Sequence, residues 1–183
     1  MFTLTTERLV LRDFTLGDED AVHQYASDPV VCRYVDWGPN TLAVTRAFLA
    51  DATLEAAGVE RRSFTLAITS KVDGTVIGSV AVWEVSAAHG RAELGFVVNP
   101  KFQGQGYASE AASAVLELAF ARLGAQRVQA TCRPENSASA SVLTKIGMVE
   151  EGRMRAHMVI RGTVVDSLLF AAVQPEIASA DFA

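Results

Sequence analysis

Apolar residues along the chain recur with two spacings, one typical of strands and one of helices. From Leu9 to Asp13 apolar and charged residues alternate as in a short half-buried strand, and Leu16-Gly17-Asp18 then supplies a turn with a helix start. That helix is expected to reach about Ser27, where Asp28-Pro29 stops it. Thr41 to about Ala57 sets Leu42, Phe48, Leu49 and Leu54 among alanines, which suits an amphipathic helix ended by Gly58. Between Arg62 and Thr69, Phe64, Leu66 and Ile68 share one parity and predict a strand.

The Asp73-Gly74 pair is a hairpin signal, so the strand from Thr75 to about Val85 should pair antiparallel with the one before it. A loop through Ala88-His89-Gly90 leads to a strand from Arg91 to Val98, closed by Asn99-Pro100. Ala108 to Leu123 is the clearest helix: Glu110, Ser113 and Glu117 form a narrow polar stripe, and Ala112, Val115, Leu116, Ala119, Phe120 and Leu123 cover much of the rest. Such a helix is largely buried. After Gly124 follow a strand from Arg127 to Cys132, a short helix from Ser137 to Ile146 ended by Gly147, and strands near Met148 to Met154 and Thr163 to Val173.

Composition narrows the class. The 183 residues, half of them apolar, suit one domain over residues 1–174 with a loose tail over 175–183. A formal charge of −5 argues against a nucleic-acid-binding face, which needs clustered Lys and Arg. Cys32 and Cys132 stand alone, without CxxC or metal-ligand spacing, and read as reduced buried thiols. Glu7 and Arg8 interrupt the first residues where a signal peptide would be apolar, and no long apolar run could span a membrane. A cytoplasmic protein with no membrane partner is expected.

Chemistry concentrates at Gln103-Gly104-Gln105-Gly106-Tyr107-Ala108, where a strand turns into the buried helix. Glycine lets a ligand approach the main chain, and successive amides at a helix start form an anion site that needs no lysine. A glycine loop that merely reverses the chain is the alternative. The spacing matches neither the GxGxxG dinucleotide fingerprint nor a P-loop.

Three ordered blocks carry a resemblance: Glu93 to Pro100, Gln103 to Ala111, and Asn136-Ser137-Ala138-Ser139 followed by Leu143, Lys145 and Gly147. Together they resemble the GNAT superfamily of N-acetyltransferases, most of all the ribosomal-protein N-terminal acetyltransferase branch named for RimJ and RimL. Leu4 to Arg12 resembles the start of that branch, so the likeness runs from about Thr3 to Val173. In the family pattern Q/R-x-x-G-x-G/A, Gln103, Gly106 and Ala108 occupy the fixed places, while Phe102 stands where the branch usually has tryptophan. The resemblance and the element order imply an α/β fold with a mixed, mostly antiparallel, strongly bent sheet of about seven strands and four flanking helices.

What the resemblance implies at the site can be set out residue by residue. Gln103 and the amides from Gly104 through Gln105, Gly106, Tyr107 and Ala108 to Ser109 would hold the pyrophosphate of acetyl-coenzyme A, the co-substrate, with no metal. The pantetheine arm would bond to main chain at Val97 and Val98 in a gap between two strands, helped by Asn136, with the Val97 amide facing the oxyanion. An amine of pKa ~10 must lose a proton before it attacks a thioester, and Glu93 matches the glutamate that accepts it in several GNAT enzymes. A strand glutamate paired with Arg91 is the other reading. Many members protonate the leaving thiolate with a tyrosine, which here is Leu143; in the RimL-like branch Ser139 is a substitute, although Asn136, Ser137 and Ser139 also suit plain helix capping.

The helix dipole explains Lys145, and His23, His89 and His157 share no spacing. Tyr34, Trp37 and Trp83 can line an acceptor pocket or pack the core, and Asp36, Glu84 and Asp166 can hold a cationic acceptor or serve as surface carboxylates. The acceptor implied is an amine, either a protein N-terminal α-amine or a small polyamine, amino acid or aminoglycoside. Dimers are common in the branch, so a homodimer is an open expectation. The loss of the tyrosine at Leu143 also leaves open a non-catalytic acyl-coenzyme A sensor.

Overall fold

The computed structural model describes residues 1–174, so the tail expected over 175–183 lies outside the described residues. Its strands are β1 (Thr3–Thr5), β2 (Leu9–Asp13), β3 (Ser63–Ser70), β4 (Val76–Ser86), β5 (Arg91–Val98), β6 (Arg127–Cys132), β7 (Val149–Ile160) and β8 (Thr163–Val173). The helices are α1 (Glu19–Ala26), α2 (Leu42–Ala56), α3 (Tyr107–Leu123) and α4 (Ser137–Lys145). All eight strands form one sheet in the order β1-β2-β3-β4-β5-β6-β8-β7. Every neighbouring pair is antiparallel except β5 and β6, which run parallel because α3 carries the chain back across the sheet.

Strand alternation splits the core in two. Phe64, Leu66 and Ile68 of β3 and Ala92, Leu94 and Val98 of β5 join the buried face of α3, where Ala111, Ala112, Val115 and Ala119 are fully enclosed. Ala67 and Val76 meet Phe14, Val22, Tyr25 and Leu49 in a second cluster under α1 and α2. Thr41 caps α2 by accepting a hydrogen bond from Val44 N at 3.3 Å.

Three departures from the sequence reading have local causes. There are eight strands rather than about seven because β1, only three residues long, pairs with β2 and is fastened by Phe2 N donating to Asp13 Oδ2 at 2.6 Å. Strand β7 runs on past Met154 to Ile160, through a break in register between Met154 and Met158 where Ala156 takes a positive φ of 51°. The alternation of Arg153, Arg155 and His157 with Met154, Ala156 and Met158 carries the strand pattern past Met154, so this continuation was present in the sequence. Helix α2 buries only Thr45, Leu49 and Ala52, and Leu54 is 75 % exposed, so its inner face is narrower than its leucines suggest.

Candidate active site

The site begins where two strands part. Parallel pairing of β5 with β6 comprises only Arg91 with Arg127, Ala92 with Val128 and Glu93 with Gln129. Beyond Glu93, β5 stays paired with β4 as far as Val98, while β6 stays paired with β8 as far as Cys132. The facing edges of Leu94 to Val98 and Ala130 to Cys132 are therefore left unbridged.

The register also fixes which groups face this gap. Asn99 N donates to Ile77 O at 2.9 Å, and the pairing of β5 with β4 is unbroken from Val98 back to Ala92. Hydrogen bonding alternates along an antiparallel pair, so Val97 points its amide toward β4 while Phe96 and Val98 turn theirs toward the gap. Gln103 agrees with this, because its Nε2 donates to Val98 O at 2.8 Å across the open edge. The Val97 amide expected to face an oxyanion is thus on the other side of the strand, and Gln103 spends its side chain on the strand end.

Past Asn99 the chain enters the glycine turn. Gly104 and Gly106 adopt φ of 73° and 84°, which L side chains rarely take up, and Gly106 is the residue from which α3 starts. Among the described residues, none of the amides from Gly104 to Ser109 donates to a protein group, whereas Glu110 N already bonds to Gly106 O. Six successive donors are thus left unpaired at the positive end of a long helix, where an anion is favoured. Arg8 braces the turn: Nη1 donates to Gln105 O at 2.9 Å, Nε donates to Glu110 Oε2 at 2.7 Å, and the guanidinium lies over the Tyr107 ring. Burial would push the Glu110 carboxyl up, but hydrogen bonds from Thr6 and Arg8 hold it below the usual range. The opening Thr-Glu-Arg-Leu run thereby gains a physical role, as the strut behind the turn.

A cavity of about 560 Å³ is lined by both edges of the gap, Leu94 to Val97 and Ala130 to Cys132, whereas Val98 and the turn from Gln103 to Ser109 do not line it. On the α4 side it is lined by Thr131, Cys132, Arg133, Asn136, Ser139 and Leu143. Asn136 Oδ1 accepts from Ser139 N at 3.2 Å, so capping and cavity lining coincide at these two residues. Arg133 Nε is buried with no partner among the described residues, and its Nη2 lies 3.3 Å from Glu135. Burial pushes the Cys132 thiol up to about 11, and both cysteines are free.

On the α1 and α2 side the walls are Tyr34, Asp36, Trp37 and Phe48, over a floor of Ser79, Trp83 and Gly95. The Tyr25 hydroxyl stands beside Ser79 without an ordinary hydrogen bond, and burial pushes its pKa up to about 12. A smaller hollow of about 100 Å³ near Arg62, Gly90 and Gly124 lies at the start of β5, away from the turn.

Several candidates thus converge and others do not. Tyr34, Asp36, Trp37, Trp83, Val97, Asn136 and Ser139 line the cavity. Glu93 shares a strand face with Gly95 and Val97 but is not among the lining residues, and its Oε2 lies 3.4 Å from Gln129 Nε2. Glu84 pairs with Arg62 and Asp166 with Arg153, away from it. His23 and His157 bond to Thr45 and Ser167, and among the described residues no cluster of acidic, His and Cys side chains could hold a metal.

Sequence reasoning missed Arg161 at the tip of the β7–β8 hairpin. Its Nη2 lies within hydrogen-bonding distance of Cys32 O, Trp37 O and Gly38 O, at 3.0, 2.9 and 2.8 Å, tying down the loop that carries Tyr34, Asp36 and Trp37. Only a contact distant in sequence reveals it.

A family model described as the acetyltransferase (GNAT) domain matches residues 8–149. The chain is 37% identical over 149 residues to the uncharacterized N-acetyltransferase YnaD of Bacillus subtilis (strain 168), covering 81% of this chain and 84% of that one. A crystal structure of a GNAT-family acetyltransferase from Bacillus anthracis superposes with a TM-score of 0.83 at 31% identity, covering 94% and 98% of the two chains. RimL, a ribosomal L7/L12 α-N-protein acetyltransferase solved with coenzyme A, shares the fold with a TM-score of 0.80 at 22% identity, covering 94% and 98%.

Proposed function

This chain belongs to the GNAT acetyltransferase family and is an N-acetyltransferase; from that premise we propose that the amides of Gly104 to Ser109 hold the pyrophosphate of acetyl-coenzyme A, with its pantetheine arm along the open edge of β5. The observation that carries this is the run of six free amides that follows the unbridged edge of β5, an edge whose residues Leu94 to Val97 line the cavity. The residues fit the group, since the cradle needs no cation and the edge offers main-chain partners of the right direction. Bound there, acetyl-coenzyme A supplies an activated acetyl thioester.

The chain's own groups then divide the work. Glu93 takes the proton of the acceptor amine through a bridging water, because its carboxylate stands outside the cavity wall. The freed nitrogen attacks the thioester carbon, forming the C–N bond and breaking C–S. The amide of Phe96 or Val98, facing the gap, stabilises the oxyanion, a donor of a kind worth about 3 kcal/mol. Ser139, on the α4 wall, gives a proton to the departing thiolate, and Asn136 holds the pantetheine arm while capping α4.

The test sets binding beside turnover. Acetyl-coenzyme A binding is measured by calorimetry and coenzyme A release is followed with a panel of primary amines. Gly106→Trp, whose Cβ would meet Arg8 Nη2 at 3.3 Å, is expected to abolish binding while circular dichroism keeps the wild-type helix signal. Undiminished binding in this variant would remove the pyrophosphate assignment.

A further inference from the structure

The acceptor side of the cavity is unusual in its charge balance. Its walls include Tyr34, Trp37, Phe48 and Trp83, and Asp36, an exposed residue, is the one carboxylate that lines the cavity, whose cation Arg133 stands on the α4 side. Asp36 forms no ion pair or side-chain hydrogen bond among the described residues, unlike Glu84 and Asp166, which are matched to arginines. A carboxylate beside aromatic faces is a receptor for a cation, since both attract positive charge. One such carboxylate compensates one charge.

We infer that the acceptor is a small amine carrying a single positive charge on an apolar, ring-sized body, received by Asp36 and packed between Tyr34, Trp37 and Trp83. This rests on the acetyl-transfer reading above. A polyamine would bring further ammonium groups into walls that offer them no carboxylate, and a buried unpaired charge is costly. A peptide would need an open groove for the chain after its first residue. The loop that carries Tyr34, Asp36 and Trp37 is instead fixed in place by Arg161 through the carbonyls of Cys32, Trp37 and Gly38. The arriving ammonium ion pairs with Asp36, then loses its proton by the route proposed through Glu93 before the nitrogen attacks.

The experiment compares 2-phenylethylamine, spermidine and a hexapeptide with a free α-amine as acceptors for the full chain, with acetyl-coenzyme A binding measured in parallel. The aromatic monoamine is expected to show the highest kcat/KM, by about tenfold or more, the equivalent of one matched charge at ~1.4 kcal/mol. Asp36→Asn should raise KM for 2-phenylethylamine by a similar factor, leaving kcat and the Kd of acetyl-coenzyme A within about twofold of wild type. A preference for spermidine or the peptide, or an Asp36→Asn enzyme with unchanged KM, overturns the inference while leaving acetyl transfer standing. Loss of acetyl-coenzyme A binding altogether would bring down the underlying reading as well.

Discussion

Glu93 and Gln129 face each other as the last rung of the parallel ladder between β5 and β6, with Gln129 Nε2 3.4 Å from Glu93 Oε2. Immediately beyond this rung the strands part and the cavity opens. The proposed base therefore sits at the apex of the gap, tethered by the neighbouring strand and one step back from the cavity wall.

Glu93→Gln keeps the shape of the rung and removes the proton acceptor. The turnover number is expected to fall by about 10²-fold or more at neutral pH, with acetyl-coenzyme A binding intact. An acceptor amine of lower pKa, already neutral at the assay pH, should lose less. Wild-type turnover across the pH range would move the role to another carboxylate, with Asp36 first in line.

Arg161 acts on the acceptor through the loop it holds. Arg161→Ala frees the carbonyls of Cys32, Trp37 and Gly38 and should raise KM for the amine by about tenfold, since loss of preorganisation appears as weaker binding. The Kd of acetyl-coenzyme A should not move, and Arg161→Lys should restore part of the loss because it keeps a cation there. A uniform fall in stability and in both substrates' binding would instead show a merely structural role.

Acid should expose the pair between Arg12 and Asp18, in which Arg12 Nη2 lies 2.7 Å from Asp18 Oδ1. Burial alone would raise the Asp18 pKa, but hydrogen bonds from Arg12 and Thr15 outweigh it and hold the carboxyl below its ordinary value. A carboxylate depressed in the folded state stabilises the fold fully above its unfolded value of about 4, and that contribution is lost as pH falls through the folded value. Urea midpoints measured from pH 6 downward should decline more steeply for the wild type than for Asp18→Asn below about pH 4. Parallel acid limbs would show that the pair contributes nothing through its ionisation.

Much of the fold was legible because local pattern and tertiary role coincide. The alternation in β3, the Asp73-Gly74 hairpin and the small apolar face of α3 each specify one conformation within a few residues. The glycine turn could also be read, since positive φ at Gly104 and Gly106 is a demand that the backbone places on residue type. Strand β1 escaped because a three-residue segment acquires strand geometry only from a partner, whereas the far half of β7 keeps a readable alternation up to its register break.

By itself the sequence determined most of the order of elements, the place of the glycine turn and the cap of α4 at Asn136. The tertiary structure decided which of the other candidates meet. It set Glu93 at the edge of the gap, turned the Val97 amide toward β4, drew Asp36 and Trp83 to one cavity from distant parts of the chain, and brought Arg161 onto the loop at Cys32 to Gly38. The physical reason is range. Dihedral preferences and hydrophobic period act over a few residues, whereas the direction of a strand amide and the partner of a guanidinium are fixed only when separate elements pack and their register is set.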